Sequence, residues 1–93
     1  MIALDAKPKL AAKARLRQDK ISGETLLVYP EAGLKLNATG ADVVRRCTGE
    51  VTLAAIVEEL LRAYAPADGS VIEREVVDLV NRLADRGLLV VES

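Results

Sequence analysis

The fold is decided by residues 24–37, which read ETLLVYPEAGLKLN. Residues 24–29 are rich in Leu, Val, Thr and Tyr, a composition typical of a β-strand. Residues 30–33 have the composition of a turn, and Leu34, Lys35 and Leu36 then alternate apolar, polar, apolar. This alternation predicts a short strand with one face buried, which we expect at the edge of its sheet.

One more strand is predicted before this hairpin. Residues 15–21 favour an extended segment, and the pair Ser22-Gly23 is a turn signal. The three segments predict a small antiparallel sheet. Residues 1–14, which Pro8 interrupts, are interpreted as a flexible N-terminal arm, and residues 15–93 as a single domain.

Three amphipathic helices are predicted after the sheet. Asn37 is expected to cap the first helix and Thr52 the second, which Pro66 would end. Ser70 and Glu73 have the spacing of a capping box for the third helix, which would end before a glycine at position 87. The apolar residues 88–91 are expected either to form a fourth short strand or to cover the core.

The predicted fold is therefore α+β, a three-stranded antiparallel sheet followed by three helices, as in winged helix-turn-helix domains. This order of elements describes an architecture and does not by itself establish a function.

The composition excludes most catalytic chemistry. The 93 residues contain no His and one Cys, so imidazole catalysis, thiolate metal clusters and internal disulfides are ruled out by count. Cys47 falls on the apolar side of the first helix, where we expect an inert thiol. We therefore expect no catalytic residues, no metal and no cofactor. No apolar run is long enough to span a membrane and no secretory signal is evident, so a cytoplasmic location is expected.

The charge is unevenly distributed along the chain. Residues 1–20 carry six basic and two acidic side chains, whereas residues 21–93 carry seven basic and twelve acidic ones. A basic segment of this kind is compatible with a solvated arm, with nucleic acid or with an acidic partner. Residues 71–86, the predicted third helix, carry three Arg against four acidic residues, which opposes binding to DNA phosphates.

The third helix has an asymmetric apolar surface. On a helical wheel Val77, Val80 and Ala84 extend the buried stripe on one side only. This surplus fits either a wider contact with the core or one wall of a groove whose other wall is the strand at residues 34–36. Such a groove would accept an extended peptide as an added strand, and Lys35 would attract an acidic side chain.

Several stretches of the chain resemble the PqqD family, the small proteins D of pyrroloquinoline quinone (PQQ) biosynthesis. Residues 26–40 resemble its signature, in which Leu-Leu-x-x-Pro-Glu leads into a Leu-Asn step and then a helix. The pattern Gly-x-x-Thr-Leu-x-x-Ile-Val-x-x-Leu at residues 49–60 is similar, as are Pro-Lys-Leu at 8–10 and Arg-Leu-Arg at 15–17. Thr48 departs from the family, where Asp is expected, in a turn between helices.

The resemblance implies a peptide chaperone rather than an enzyme. PqqD-like domains are recognition elements for ribosomally synthesised peptides. They bind the precursor peptide PqqA and present it to PqqE, a radical S-adenosylmethionine enzyme with iron–sulfur clusters. In related domains the leader peptide lies between the third strand and the third helix, which implies a peptide-binding site here made of the following residues: Leu34, Lys35, Leu36, Val77, Val80, Asn81 and Ala84.

Two other functions remain open from the sequence. The first is a recognition domain of another peptide-modification pathway, and the second is a winged-helix DNA-binding module. The sequence also leaves open whether the chain forms a homodimer, since a short edge strand and an N-terminal arm both offer routes to one.

Overall fold

The computed structural model describes residues 2–30, 32–64 and 68–92. In chain order its elements are β1 (Lys7–Leu10), β2 (Arg15–Gln18), β3 (Thr25–Tyr29), β4 (Ala32–Leu36), α1 (Ala38–Arg45), α2 (Leu53–Ala63), α3 (Gly69–Asp85) and β5 (Leu89–Glu92). The predicted α+β class is confirmed, with an antiparallel sheet β2-β3-β4 followed by three helices. The predicted helix end at Pro66 and the Glu31 of the family signature lie outside the described residues.

The three-stranded sheet has one face turned towards the helices. Its register places Leu16 opposite Leu27 and Leu27 opposite Leu34, so these three side chains form one row across the sheet. Leu27, in the central strand, is fully buried. Because side chains alternate along a strand, the neighbouring residues point to the opposite, outer face. Among the described residues β4 pairs only with β3, so the prediction of an edge strand is confirmed.

The core is built mainly by helices α2 and α3, which pack against each other, while α1 lies between them and the inner face of the three-stranded sheet. Side chains that are 0% exposed come from both helices: Leu53, Ile56 and Leu60 from α2, and Val76, Val80 and Leu83 from α3. Each recurs at three- or four-residue spacing, so one stripe of each helix faces the core. Burial of one such side chain contributes roughly 1.5–3 kcal/mol.

Local signals set the helix ends. The predicted caps are confirmed: Asn37 Oδ1 accepts from the Gly40 amide at 2.7 Å, and Thr52 Oγ1 from the Ala55 amide at 3.1 Å. The predicted cap of α3 is wrong, because Asp68 rather than Ser70 holds that position and Asp68 Oδ1 accepts from both the amide and the hydroxyl of Ser70. A carboxylate is well placed there because the helix dipole favours negative charge at the N-terminus.

The end of α3 follows the prediction. Gly87 adopts φ +72°, its amide donates to Ala84 O at 3.0 Å, and the Leu88 amide donates to Leu83 O at 2.9 Å. This is the Schellman arrangement, in which a left-handed residue satisfies the last carbonyls of a helix. Leu88 is buried, and residues 89–92 continue as a strand, the first of the two predicted alternatives.

The prediction of a flexible arm does not hold for Lys7–Leu10, which forms β1 and pairs antiparallel with β5. Pro8 is fully buried, and its carbonyl accepts from the Gly49 amide at 3.0 Å. The Leu10 amide donates to Cys47 O at 3.0 Å, so β1 is held on both sides. The strand was missed because it has only four residues and its partners lie about 40 and 80 residues away.

In the described part of the chain, no helix combines the length and the apolar character needed to cross a bilayer.

Candidate functional site

A groove of about 400 Å³ lies between the edge strand β4 and helix α3. We call it the β4–α3 groove. Its strand side and floor come from β4 and the first turns of α1, and its helix side comes from one flank of α3. It is lined by Leu34, Lys35, Leu36, Asn37, Thr39, Gly40, Val43, Glu75, Asp78, Leu79 and Arg82.

Gly40 keeps the floor of the groove open. A Cβ atom at this position would lie 3.5 Å from the Cδ2 atoms of both Leu36 and Leu79, one from each wall. It would also lie 3.1 Å from Asn37 Oδ1, which is the cap of α1. The missing side chain therefore lets strand and helix approach each other across the first turn of α1, and a larger residue would fill the space between them.

The strand side of the groove offers both apolar side chains and free backbone. Leu34 and Leu36 are half-buried, whereas Lys35 between them is exposed and points to the other side of the sheet. Lys35 Nζ lies 3.4 Å from Glu24 Oε2, and both side chains are well exposed, so this ion pair contributes little stability. An edge strand presents N–H and C=O groups along its open side, which another extended chain is able to pair with.

The helix side of the groove is more polar than the sequence predicted. Leu79 is half-buried and faces Leu36 across Gly40, while Glu75, Asp78 and Arg82 are exposed around it. The wall therefore combines one apolar contact with charges of both signs. Such a wall favours a ligand that inserts an apolar side chain and carries polar groups at its margins.

The structure brings only the strand half of the predicted site into the groove. Leu34, Lys35 and Leu36 line it, but the four residues predicted on α3 do not: Val77, Val80, Asn81 and Ala84. Val80 is 0% exposed in the core, and Val77 and Ala84 are half-buried against the core. Asn81 Oδ1 accepts from the Ile2 amide at 2.8 Å, and its Nδ2 donates to Val77 O at 2.8 Å. The surplus apolar flank is thus a wider core contact, the other alternative that the sequence left open.

The groove residues on α3 were missed because the sequence analysis looked for an apolar wall. The site predicted on this helix consisted of Val77, Val80, Asn81 and Ala84, and it included neither Leu79 nor the charged residues beside it. Their position along the helix, rather than their hydropathy, could have identified these residues. Glu75 and Arg82 lie one helical turn before and after Leu79, so the three share one side of the helix. Asn37 and Gly40 were identifiable in another way, since they lie within four residues of the end of the edge strand.

The side chains of Cys47 and Tyr64 lie outside the groove. Burial raises the pKa of the Cys47 thiol to about 12. A hydrogen bond to the Asp42 carboxylate raises the pKa of Tyr64, which lies at the end of α2. Within the described residues, no group of His, Cys, Asp or Glu side chains has the arrangement of a metal site.

Comparison with known proteins identifies the family. The family model for coenzyme PQQ synthesis protein D (PqqD) matches residues 24–89. A PqqA binding protein of Xanthomonas axonopodis pv. citri (strain 306) is 34% identical over 88 residues, which cover 95% of each chain. A PqqA binding protein of Rhodopseudomonas palustris (strain TIE-1) is 32% identical over 90% of this chain and 81% of its own.

Solved structures show the same fold. The solution structure of the PqqD truncation of Methylobacterium extorquens PqqCD, described as a functional, stand-alone recognition element for ribosomally synthesised and modified peptides, superposes with a TM-score of 0.73. It is 28% identical, with 89% of this chain and 87% of that chain covered. TbiB1, solved in complex with the TbiA(beta) leader peptide, has a TM-score of 0.69 at 22% identity, over 87% of this chain and 93% of its own, and supports the fold alone. Because the family model covers most of the chain and relatives above 30% identity align over nearly its full length, the chain belongs to the PqqD family.

Proposed function

We propose that the protein is a non-catalytic peptide chaperone of PQQ biosynthesis. It binds the precursor peptide PqqA in the β4–α3 groove and presents it to the radical S-adenosylmethionine enzyme PqqE. Family membership supports this role, as do relatives that are PqqA binding proteins and a 28% identical relative described as a recognition element. The observation that carries the proposal is the open edge of β4 beside a groove.

The proposed mode of binding is strand addition. The peptide lies extended along β4, and its backbone amides and carbonyls pair with the open edge of that strand. Every second side chain of the peptide then points into the groove, towards Leu36 and Leu79. Backbone pairing supplies affinity for any extended chain, whereas the groove selects the side chains that fit it.

The charged wall of α3 adds a preference for particular peptides. Glu75 and Asp78 offer acidic partners, and Arg82 offers a basic one that is able to bind a carboxylate in two hydrogen bonds. These side chains are exposed, so each contact is weak and sensitive to salt. We expect them to set the register of the peptide more than its affinity.

The residues that line the groove fit a binding role. They include no His, Cys or Tyr, and the lone Cys is buried elsewhere in the fold. In this proposal the partner enzyme carries out the reaction on the peptide. This protein orients the peptide and raises its concentration near that enzyme.

The experiment that tests this function is a calorimetric titration with synthetic PqqA and two N-methylated versions of it. In an added strand, the amides that face the host alternate with amides that face away. Methylating alternate amides in one register should weaken binding at least about tenfold, since several hydrogen bonds of roughly 1 kcal/mol are lost. Methylating the other register should have a small effect. Equal affinity for all three peptides would exclude strand addition.

A parallel titration distinguishes the proposed peptide chaperone from the alternative function, a winged-helix DNA-binding module. Duplex DNA at near-physiological salt should not bind, because the third helix carries more acidic than basic residues. Salt-sensitive DNA binding together with no response to PqqA would overturn the proposed function in favour of a DNA-binding module.

A further inference from the structure

The face of the β2-β3-β4 sheet that points away from the helices carries aliphatic and basic side chains. We call it the outer sheet face. The register places Arg15 opposite Val28, Arg17 opposite Leu26, and Leu26 opposite Lys35, so these five side chains share one surface. Their neighbours in the strands point to the core instead. The face therefore consists of an aliphatic centre between two arginines on one side and a lysine on the other.

The aliphatic centre is accessible and continues beyond the strands. Leu26 and Val28 are only half-buried, and Ile21 in the β2–β3 connection is 98% exposed. Two depressions of about 460 and 440 Å³ open on this surface: Arg17, Ile21 and Leu26 contribute to the first, and Arg15 to the second. Ile21 buries almost none of its surface in the fold, and an exposed apolar patch with a charged margin is typical of an interaction surface.

The charge around this centre is positive. Lys13 and Lys20 add to Arg15 and Arg17 at its margins. Across the described residues, none of these four cations lies within salt-bridge distance of a carboxylate. Lys35 is paired with Glu24, and among the described residues Asp19 is the acidic residue that lines the depressions. The surface is therefore basic on a chain whose net charge is −1.

We propose that the outer sheet face is a docking site for an acidic protein surface with an apolar centre, carried by the enzyme that modifies the bound peptide. This inference rests on the proposed function and adds the surface through which the enzyme is engaged. Opposite charge would steer the encounter, and burial of Leu26, Val28 and Ile21 would hold the complex.

The position of this face suits presentation of a peptide. The groove lies along the open edge and the inner side of β4, and the outer sheet face lies on the other side of that strand, with Lys35 bordering both. Apart from Lys35 the two surfaces use different residues, so both are able to be occupied at once. A peptide added to β4 would become a fourth strand of the sheet. Every second side chain of the peptide would then lie on the outer sheet face, beside Lys35, where a docked enzyme reaches it.

A protein partner fits this surface better than a nucleic acid. Single strands are bound by basic grooves in which aromatic side chains stack on the bases. Here the centre is aliphatic, and Tyr29, the one aromatic residue at its margin, packs against the core. A nucleic acid would leave Ile21, Leu26 and Val28 without a matching apolar surface.

The test compares two doubly charge-reversed variants with the unsubstituted full chain. Arg15→Glu/Arg17→Glu changes the outer sheet face. Arg62→Glu/Arg74→Glu makes the same change in net charge at exposed positions of α2 and α3 that line neither the groove nor the two depressions. Circular dichroism establishes that each variant is folded. Affinity for synthetic PqqA is measured by calorimetry, and affinity for purified, reconstituted PqqE loaded with PqqA by surface plasmon resonance at two salt concentrations.

We expect the outer-face variant to bind PqqE at least about tenfold more weakly and PqqA with unchanged affinity. The control variant should bind both within about twofold of the unsubstituted protein. A third variant, Ile21→Asp, should also weaken PqqE binding and should fold normally, since its side chain is in water.

Equal PqqE affinity for the outer-face variant and the unsubstituted protein would overturn the docking site and leave the peptide groove standing. Failure of the unsubstituted protein to bind PqqA would instead overturn the proposed function. Binding of an oligonucleotide that only the outer-face variant loses, together with unchanged PqqE affinity, would reassign the surface to nucleic acid.

Discussion

The lone cysteine of the chain, Cys47, lies in the core, and its burial sets its reactivity. Cys47 is 4% exposed, and its Sγ donates a hydrogen bond to Val43 O at 3.2 Å. Removal from water disfavours the thiolate, which raises the pKa of Cys47 from 9.0 to about 12. The thiolate is the nucleophilic form, so near neutral pH this residue acts as a small apolar group of the core. The same residue type at an exposed position would be reactive.

The first prediction concerns this thiol. At pH 8 the folded protein should react with a disulfide reagent at least about a hundredfold more slowly than the same chain unfolded in guanidinium, because both access and ionisation are restored on unfolding. A matched control is Ser22→Cys in a Cys47→Ala background, which places one thiol at an exposed position and should react at once. Rapid reaction of Cys47 in the folded chain would show that the segment directly after α1 opens to solvent.

At the scale of elements, local signals identified most of the helix ends but not the orientation of α3. Asn37, Thr52 and Gly87 act through neighbours within a few residues, so their roles could be predicted from the sequence. The rotation of α3 depends instead on contacts such as the one between Asn81 and the Ile2 amide, which are 79 residues apart. No local pattern contains that information, and the apolar surplus alone pointed to a flank whose residues do not line the groove.

The second prediction compares the two flanks of α3. Leu79→Ala removes the apolar contact of the groove and should weaken PqqA binding about tenfold, equivalent to roughly 1.4 kcal/mol. Val77→Ala, on the flank that faces the core, should change PqqA affinity less than about twofold. Both residues are half-buried, so each change should lower the free energy of unfolding by about 1–2 kcal/mol.

Calorimetric titration and thermal unfolding of the same samples check both parts of this comparison. A larger loss of peptide affinity for Val77→Ala than for Leu79→Ala would return the binding surface to the flank that the sequence indicated.

Across the described part of the molecule, its first strand and its last strand pair with each other. Strand β1 pairs with β5, and the residues before β1 complete the start of α2. The Leu53 amide donates to Ala6 O and the Ala54 amide to Leu4 O, each at 2.9 Å. With the Thr52 cap on Ala55, these bonds satisfy the first-turn amides of α2, which no residue within the helix is able to pair. The sequence predicted an arm here because the partners of residues 4 and 6 lie almost 50 positions later.

The residues that precede β1 should therefore stabilise the fold. A chain that begins at Lys7 loses the carbonyls of Leu4 and Ala6 and the Ile2 amide that donates to Asn81. Its free energy of unfolding should be lower by about 3 kcal/mol, roughly 1 kcal/mol for each of these hydrogen bonds. The Leu53 and Ala54 amides should exchange with deuterium faster in this truncated chain. Leu4→Ser keeps the backbone carbonyl and alters a side chain that is 49% exposed, so it should leave stability within about 0.5 kcal/mol and both amides protected. If the truncated chain were as stable as the full one, with both amides equally protected, residues 2–6 would behave as part of the flexible arm that the sequence predicted for residues 1–14, and α2 would need no contribution from them.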